Sequence, residues 1–143
     1  MAKKCLGLNM LANKKFWAGG FLYNPKTNSV LLHQRDDKTK INPNKWAFFG
    51  GLNESNETPE ETFIREIKEE LNLDLLKDNI KHVCDYLNVE MNTYRYVFYV
   101  ESVLEKSEMR LGEGANFDWI PVGKVMEYDL TEKTRIDLEK FLK

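Results

Sequence analysis

The stretch Thr58-Pro59-Glu60-Glu61 commits the chain to a helix and, through the apolar residues that helix carries, to a layered fold. Threonine can cap a helix end, proline suits the first helical position, and a glutamate three residues past the threonine completes a capping box. A helix is therefore expected from Pro59 to Leu71. On a helix that advances about 100° per residue, Phe63, Ile64, Ile67 and Leu71 fall within one arc. Such a stripe is stable only when buried against another layer. Asn72 stands just past it, where a left-handed residue closes a helix.

The other layer reads as strands. Phe16 to Tyr23 and Ser29 to Gln34 are rich in aromatic and branched residues and flank Asn24-Pro25-Lys26-Thr27-Asn28, a cluster of turn formers, so a hairpin is expected. Residues 35–45 are polar throughout and form a loop, after which Trp46-Ala47-Phe48-Phe49 is a short apolar strand ending in Gly50-Gly51. Glycines there let the backbone pass close to a neighbour. Ile80 to Val89 and Tyr94 to Val103 are β-rich and should pair with each other, and Phe117 to Val122 is a further strand. Thr131 to Leu142 is an amphipathic helix carrying Ile136, Leu138, Phe141 and Leu142. The 143 residues show no repeat or linker and suit one hydrophobic core, so a single domain over 1–143 is expected.

A formal net charge of -2 and a pI near 5.8 supply no general positive field, which disfavours binding to a nucleic-acid backbone or an anionic membrane. The opening stretch Met1 to Leu11 has a short apolar run broken by Asn9, with Lys14 and Lys15 soon after, and does not make a signal peptide. No window approaches the roughly 20 apolar residues that a spanning helix needs, so a soluble, cytoplasmic protein is expected. Cys5 and Cys84 lie in no C-x-x-C or Cys/His pattern, which argues against a disulfide framework or a zinc site. His33 and His82 sit singly in strand-like stretches and are expected to be structural.

Glu66, Glu69 and Glu70 stand at i, i+3 and i+4 on the capped helix, a spacing that gathers three carboxylates on one side, away from the apolar stripe. Like charges at i and i+4 cost the helix a few tenths of a kcal/mol, and Lys68 lies around the cylinder from all three. A hard divalent cation, Mg2+ or Mn2+, would relieve that repulsion, because such ions take oxygen ligands and keep room for water and phosphate oxygens. Cleavage of a diphosphate needs such an ion, to screen phosphate charge and to activate water. Arg65, four residues after Glu61 and four before Glu69, can also reach across a loop and fix a carboxylate in fork geometry. Taken singly these features are bland: acidic clusters are usually solvated faces, a glycine pair is explained by a turn, and a capping box is structural. Their order and spacing carry the argument.

From Gly51, five residues lead to Glu57, seven more lead to Arg65-Glu66, and Ile67, Lys68, Glu69-Glu70, Leu71, Asn72 and Leu73 come next. The run resembles the Nudix box, G-x5-E-x7-R-E-U-x-E-E-x-G-U, with U a bulky aliphatic residue, and departs from it only at Asn72, where the family has glycine. Asparagine is the next-best residue for a left-handed cap, so the turn is expected to survive. Arg35-Asp36-Asp37 ahead of Trp46-Ala47-Phe48-Phe49 is similar to the approach to the box in nucleotide-cleaving members, although Phe49 stands where many have proline. Leu111-Gly112-Glu113-Gly114 followed by Trp119 resembles a later family segment in which a loop glutamate joins the metal site.

The resemblance implies an α/β (α+β) fold, a mixed central β-sheet sandwiched between helices. It implies Glu66, Glu69 and Glu70 as metal ligands, one of them, most often Glu66 in such proposals, acting as general base. Glu57 and Arg65 would form a supporting pair beside Gly51, the Gly50 carbonyl would be a further ligand, and Glu113 a ligand or base outside the box. The activity implied is metal-dependent hydrolysis of a nucleoside diphosphate linked to another moiety, a nucleoside triphosphate, oxidised or not, or a nucleotide sugar. Phe16, Trp17, Tyr86, Tyr96 and Tyr128 are each as well suited to the core as to stacking on a base. The rival from another class is an inactive Nudix-fold module that senses a nucleotide, against which the complete set of charges argues. A diphosphate isomerase needs a placed cysteine, which neither Cys5 nor Cys84 supplies near the box. The expected partner is a small nucleotide, with homodimerisation left open.

Overall fold

Alternation along the strands builds the two faces of the molecule. The computed structural model describes residues 15–112 and 116–143, so Cys5, Glu113 and Gly114 lie outside the described residues. In β1 (Phe16–Asn24), Phe16, Ala18 and Leu22 point into one apolar cluster while Phe21 points into another on the opposite side. The same split separates Leu31 from Val30 and Leu32 in β2 (Ser29–Gln34). A strand exposes successive side chains to opposite faces, and a sheet with both faces apolar must be covered twice. One cover is α1 (Pro59–Leu71), whose Phe63, Ile67 and Leu71 are fully buried. The other is α3 (Glu132–Leu142), whose Leu138 is fully buried in the second cluster.

The strands form one mixed seven-stranded sheet. β1 and β2 make the expected hairpin, paired from Leu22↔Leu31 to Asn24↔Ser29, and then diverge. The gap between them is filled by β3 (Trp46–Ala47) on β2 and β4 (Phe49–Leu52) on β1. The apolar strand expected at 46–49 is therefore two short strands, because its halves pair with different partners. On its other edge β1 runs parallel to β6 (Thr93–Glu101), which pairs antiparallel with β5 (Lys81–Asn88) as expected. β7 (Asn116–Pro121) pairs with β2 and leads straight into α2, the single turn Val122–Val125.

The helix signals hold in detail. Thr58 Oγ1 accepts from the Glu61 amide, and the Glu61 carboxylate accepts from the Thr58 amide, so two otherwise orphaned donors are satisfied. Asn72 closes α1 in the left-handed region, at φ 58° and ψ 37°. Asn28, Asn42, Asn44, Asn56 and Asn92 adopt positive φ as well, so asparagine makes the left-handed turns in the places where glycine is commonest. The terminal helix departs from expectation. Ile136 and Leu142 of its apolar set are more than a third exposed, whereas Asp137 is fully buried. A charged residue displaces apolar ones there because the sheet beneath supplies donors to it, from Arg95 and Tyr86.

Replacing Asn72 by alanine should lower stability by about 1 kcal/mol, the cost of a Cβ in the left-handed region without a short polar side chain. Glycine at the same position should be tolerated to within a few tenths of a kcal/mol. Urea unfolding midpoints of the two variants against the parent chain measure the difference.

Candidate active site

Arg65 organises the acidic face of α1. Its Nε donates to Glu57 Oε2 at 2.7 Å and its Nη2 to Glu57 Oε1 at 3.1 Å, a fork on a carboxylate from the preceding loop. Nη2 also donates to the Leu52 carbonyl at the end of β4. Glu57 accepts in addition from the Glu54 amide and the Thr62 hydroxyl, so loop, strand end and helix are held in one network. The hydrogen bond from Arg65 draws the Glu57 carboxyl down to about 2, and the same bond pushes the Arg65 guanidinium above its ordinary value.

Arg65 also reaches the other carboxylates. Its Nη1 lies 3.3 Å from Glu66 Oε1 and 3.4 Å from both oxygens of Glu69. By spacing alone, Glu66 and Glu70 have no positive charge between them. The structure corrects that at Glu66: the guanidinium turns back along the helix and partly neutralises Glu66 and Glu69, while Lys68 points away to Asp74. The three carboxylates are also unequal. Glu66 is mostly covered, Glu69 is more than half exposed, and Glu70 is buried at 7% exposure. Among the described residues, no group of three His, Cys, Asp or Glu side chains stands ready to hold a metal ion.

The glycine pair of β4 sets both sides of this region. A Cβ on Gly51 would come within 2.1 Å of Glu66 Oε1, so the missing side chain is what lets that carboxylate lie against the strand. A Cβ on Gly50 would come within 2.6 Å of the Trp17 ring on the opposite face. Gly50 and Gly51 thus serve opposite faces of the sheet, as the period of a strand requires. At the C-terminal end of α1, the Arg110 amide donates to the Leu71 carbonyl and the Gly112 amide to the Glu70 carbonyl. Carbonyls that a helix end would leave orphaned are satisfied by the segment that precedes Glu113, which itself lies outside the described residues.

Gly50 and Glu70 line a cavity of about 590 Å³, within the range of small-molecule sites. Trp17, Arg35, Arg95 and Lys133 border it as well, so carboxylate and cationic groups face one space. Of the five aromatic residues weighed as base-stacking candidates, Trp17 lines this cavity. Phe16 is buried against Tyr96, Tyr128 packs on Trp46, and Tyr86 bonds to Asp137. His33 borders the same cavity and is 8% exposed, with Nε2–H donating to the Phe48 carbonyl at 2.9 Å. His82 instead is exposed, paired with Asp85. Arg95 was not singled out from the sequence, because nothing local marks an arginine in a strand as facing a cavity.

Comparison with known proteins agrees with the geometry. Residues 15–142 match the family described as NUDIX domain, and the chain belongs to that family. It is a hydrolase that acts on pyrophosphate bonds. It is similar to nucleoside triphosphatase NudI of Escherichia coli, 30% identical over 117 residues that cover 75% of this chain and 83% of that one. It is also similar to the dihydroneopterin triphosphate diphosphatase of Haemophilus influenzae, 27% identical with coverage of 85% and 83%. Its fold matches that of the MutT protein from Methanosarcina mazei at a TM-score of 0.70 and 23% identity, over 88% and 91% of the two chains. No helix among the described residues is long and apolar enough to cross a membrane.

Burial lowers the His33 pKa to about 4, with Arg35 lowering it further and the bond to Phe48 opposing. The unfolded chain therefore takes up a proton near the ordinary histidine value while the folded chain resists it until about pH 4. Stability should be fully present above pH ~6.5 and should fall by roughly 3 kcal/mol as the pH drops from there to 4. A His33→Gln variant should lose most of that slope, which urea unfolding at a series of pH values will read.

Proposed function

We propose that the chain is a metal-dependent nucleoside triphosphate pyrophosphohydrolase, with its reaction centre where the acidic face of α1 meets the cavity at Gly50. The observation that carries this reading is the joint placement of Glu70 and the Gly50 backbone on the wall of a cavity that also presents Arg35, Arg95 and Lys133. Carboxylates on one wall and cationic side chains on another suit a substrate with a charged phosphate chain and an organic end. Relatives of the chain include a nucleoside triphosphatase and a dihydroneopterin triphosphate diphosphatase, which supports a triphosphate over a nucleotide sugar.

The donor set fits a hard divalent cation. Glu66, Glu69, Glu70 and the Gly50 carbonyl offer only oxygen, and the space above Gly51 is filled by the Glu66 carboxylate. The long contacts of Arg65 to Glu66 and Glu69, against the short one to Glu57, leave the first two carboxylates exchangeable and the third fixed. Mg2+ or Mn2+ held by these groups would screen phosphate charge and lower the pKa of a water nucleophile. Glu57 and Arg65 keep the loop and helix in register, a supporting task. Glu66 is the favoured general base, and Glu113 a further ligand or base.

Incubation with a panel of nucleoside triphosphates and nucleotide sugars and with Mg2+ or Mn2+ should release a monophosphate and pyrophosphate from at least one triphosphate. Glu69→Gln and Glu70→Gln should each lower kcat by at least about a hundredfold, with folding retained by circular dichroism. Binding without turnover across the whole panel, under either metal, would overturn the assignment. Gly51→Ala should displace the Glu66 carboxylate and lower activity more than ten-fold, roughly the penalty of misplacing one catalytic group.

A further inference from the structure

Arg95 sits where a solvated arginine has no reason to be. Its side chain is 10% exposed, and its Nε donates to Asp137 Oδ2 at 2.8 Å. Asp137 is fully buried, and its other oxygen accepts from the Tyr86 hydroxyl at 2.8 Å and from the Cys84 thiol at 3.7 Å. The Arg95 guanidinium carbon lies 3.9 Å from the centre of the Trp17 ring. That ring is itself seated on glycines, since a Cβ on Gly19 or Gly50 would collide with it at 2.5 or 2.6 Å. Trp17, Arg95 and Tyr86 are direct register partners across β1, β6 and β5, so the sheet aligns them in one row.

The guanidinium is thus fixed at Nε by Asp137 and beside Trp17, while among the described residues Nη1 and Nη2 carry no hydrogen bond. Arg95 borders the cavity that Gly50 and Glu70 line. A buried ion pair generally stabilises a fold no more than an apolar pair of the same shape, so one that ends in a cavity points to recognition. On the same side of β5 as Tyr86, two residues on, Asn88 also lines that cavity, and its buried Oδ1 has no hydrogen-bond partner among the described residues.

We propose that Arg95 selects the base of the nucleotide, and that the base is a 6-oxopurine. An arginine fork matches two adjacent acceptors in a plane, and O6 with N7 of a 6-oxopurine is such a pair. Adenine places an amino group at the same point and sets donor against donor, and cytosine does likewise. The Asn88 oxygen offers an acceptor for ring N–H groups, which guanine has and adenine lacks. Asp137 is a positioning residue, acting through Arg95 without touching the ligand. The inference rests on the cavity being the nucleotide site, and its test is independent of hydrolysis.

Calorimetric titration of the full chain with GMP, AMP and CMP, in EDTA and without metal, reads base selection directly. GMP should bind roughly ten- to a hundredfold more tightly than AMP or CMP, the discrimination expected of one fork on a base edge. Arg95→Lys, which keeps the charge and loses the fork, should bring the three affinities together. Because a lone buried Asp137 destabilises the fold, Arg95→Gln/Asp137→Asn serves as a second variant with both charges removed, and it should show the same loss of preference. Equal affinities in the parent chain, no measurable GMP binding at millimolar concentration, or a uniform loss across all three nucleotides in Arg95→Lys would overturn the proposal; the last would assign Arg95 to phosphate. Base selection without turnover would retire the hydrolase reading alone, and turnover without base selection would retire this one alone.

Discussion

Arg65 brings a single positive charge and five N–H donors into the midst of Glu54, Glu57, Glu66 and Glu69. Without it, the loop after β4 would keep only the Thr62 hydroxyl bond from Glu57 to the body of α1, and the glutamates would repel one another across one helical turn. The distances rank its obligations. The short fork to Glu57 is structural and persists far into acid, because the carboxyl it serves is held near 2. The contacts to Glu66 and Glu69 are longer and one-sided, so those carboxylates are restrained without being consumed. Lysine could not divide its charge this way, since a point donor has no second edge.

The capped helix was legible because each of its signals is local: Thr58 bonds Glu61, and Asn72 turns the chain within its own residue. The hairpins were legible for the same reason. What depends on distant partners was not. Asp137 lies outside the apolar set of its amphipathic helix, and donors far away in sequence, Arg95 and Tyr86, explain its burial. Trp46 to Phe49 reads as one strand, yet its two halves answer to β2 and β1 separately. The three glutamates of the box are equivalent by spacing, whereas burial separates Glu70 on the cavity wall from Glu69 in solvent.

The site residues were named more by resemblance than by geometry, and the geometry adds an ordering that the motif lacks. The motif calls for glycine at position 51. The fold shows why: its side is the one on which Glu66 rests. The motif says nothing of Gly50 beyond its neighbour, yet Gly50 is what admits Trp17 and hence the stack that ends in Arg95.

Because the two glycines of β4 look to opposite faces, the Glu66 carboxylate and the Trp17 ring lie on opposite sides of that strand, while Glu70 reaches the cavity wall that Trp17 and Arg95 share. Substitutions at Trp17, Arg95 or Asp137 leave the Glu57–Arg65 fork on its own side, so a descendant of this chain can change what lines the cavity without rebuilding the anchor of the acidic helix. The exception is β4 itself, where the two faces share a backbone and any new side chain is felt at once by Trp17 or by Glu66.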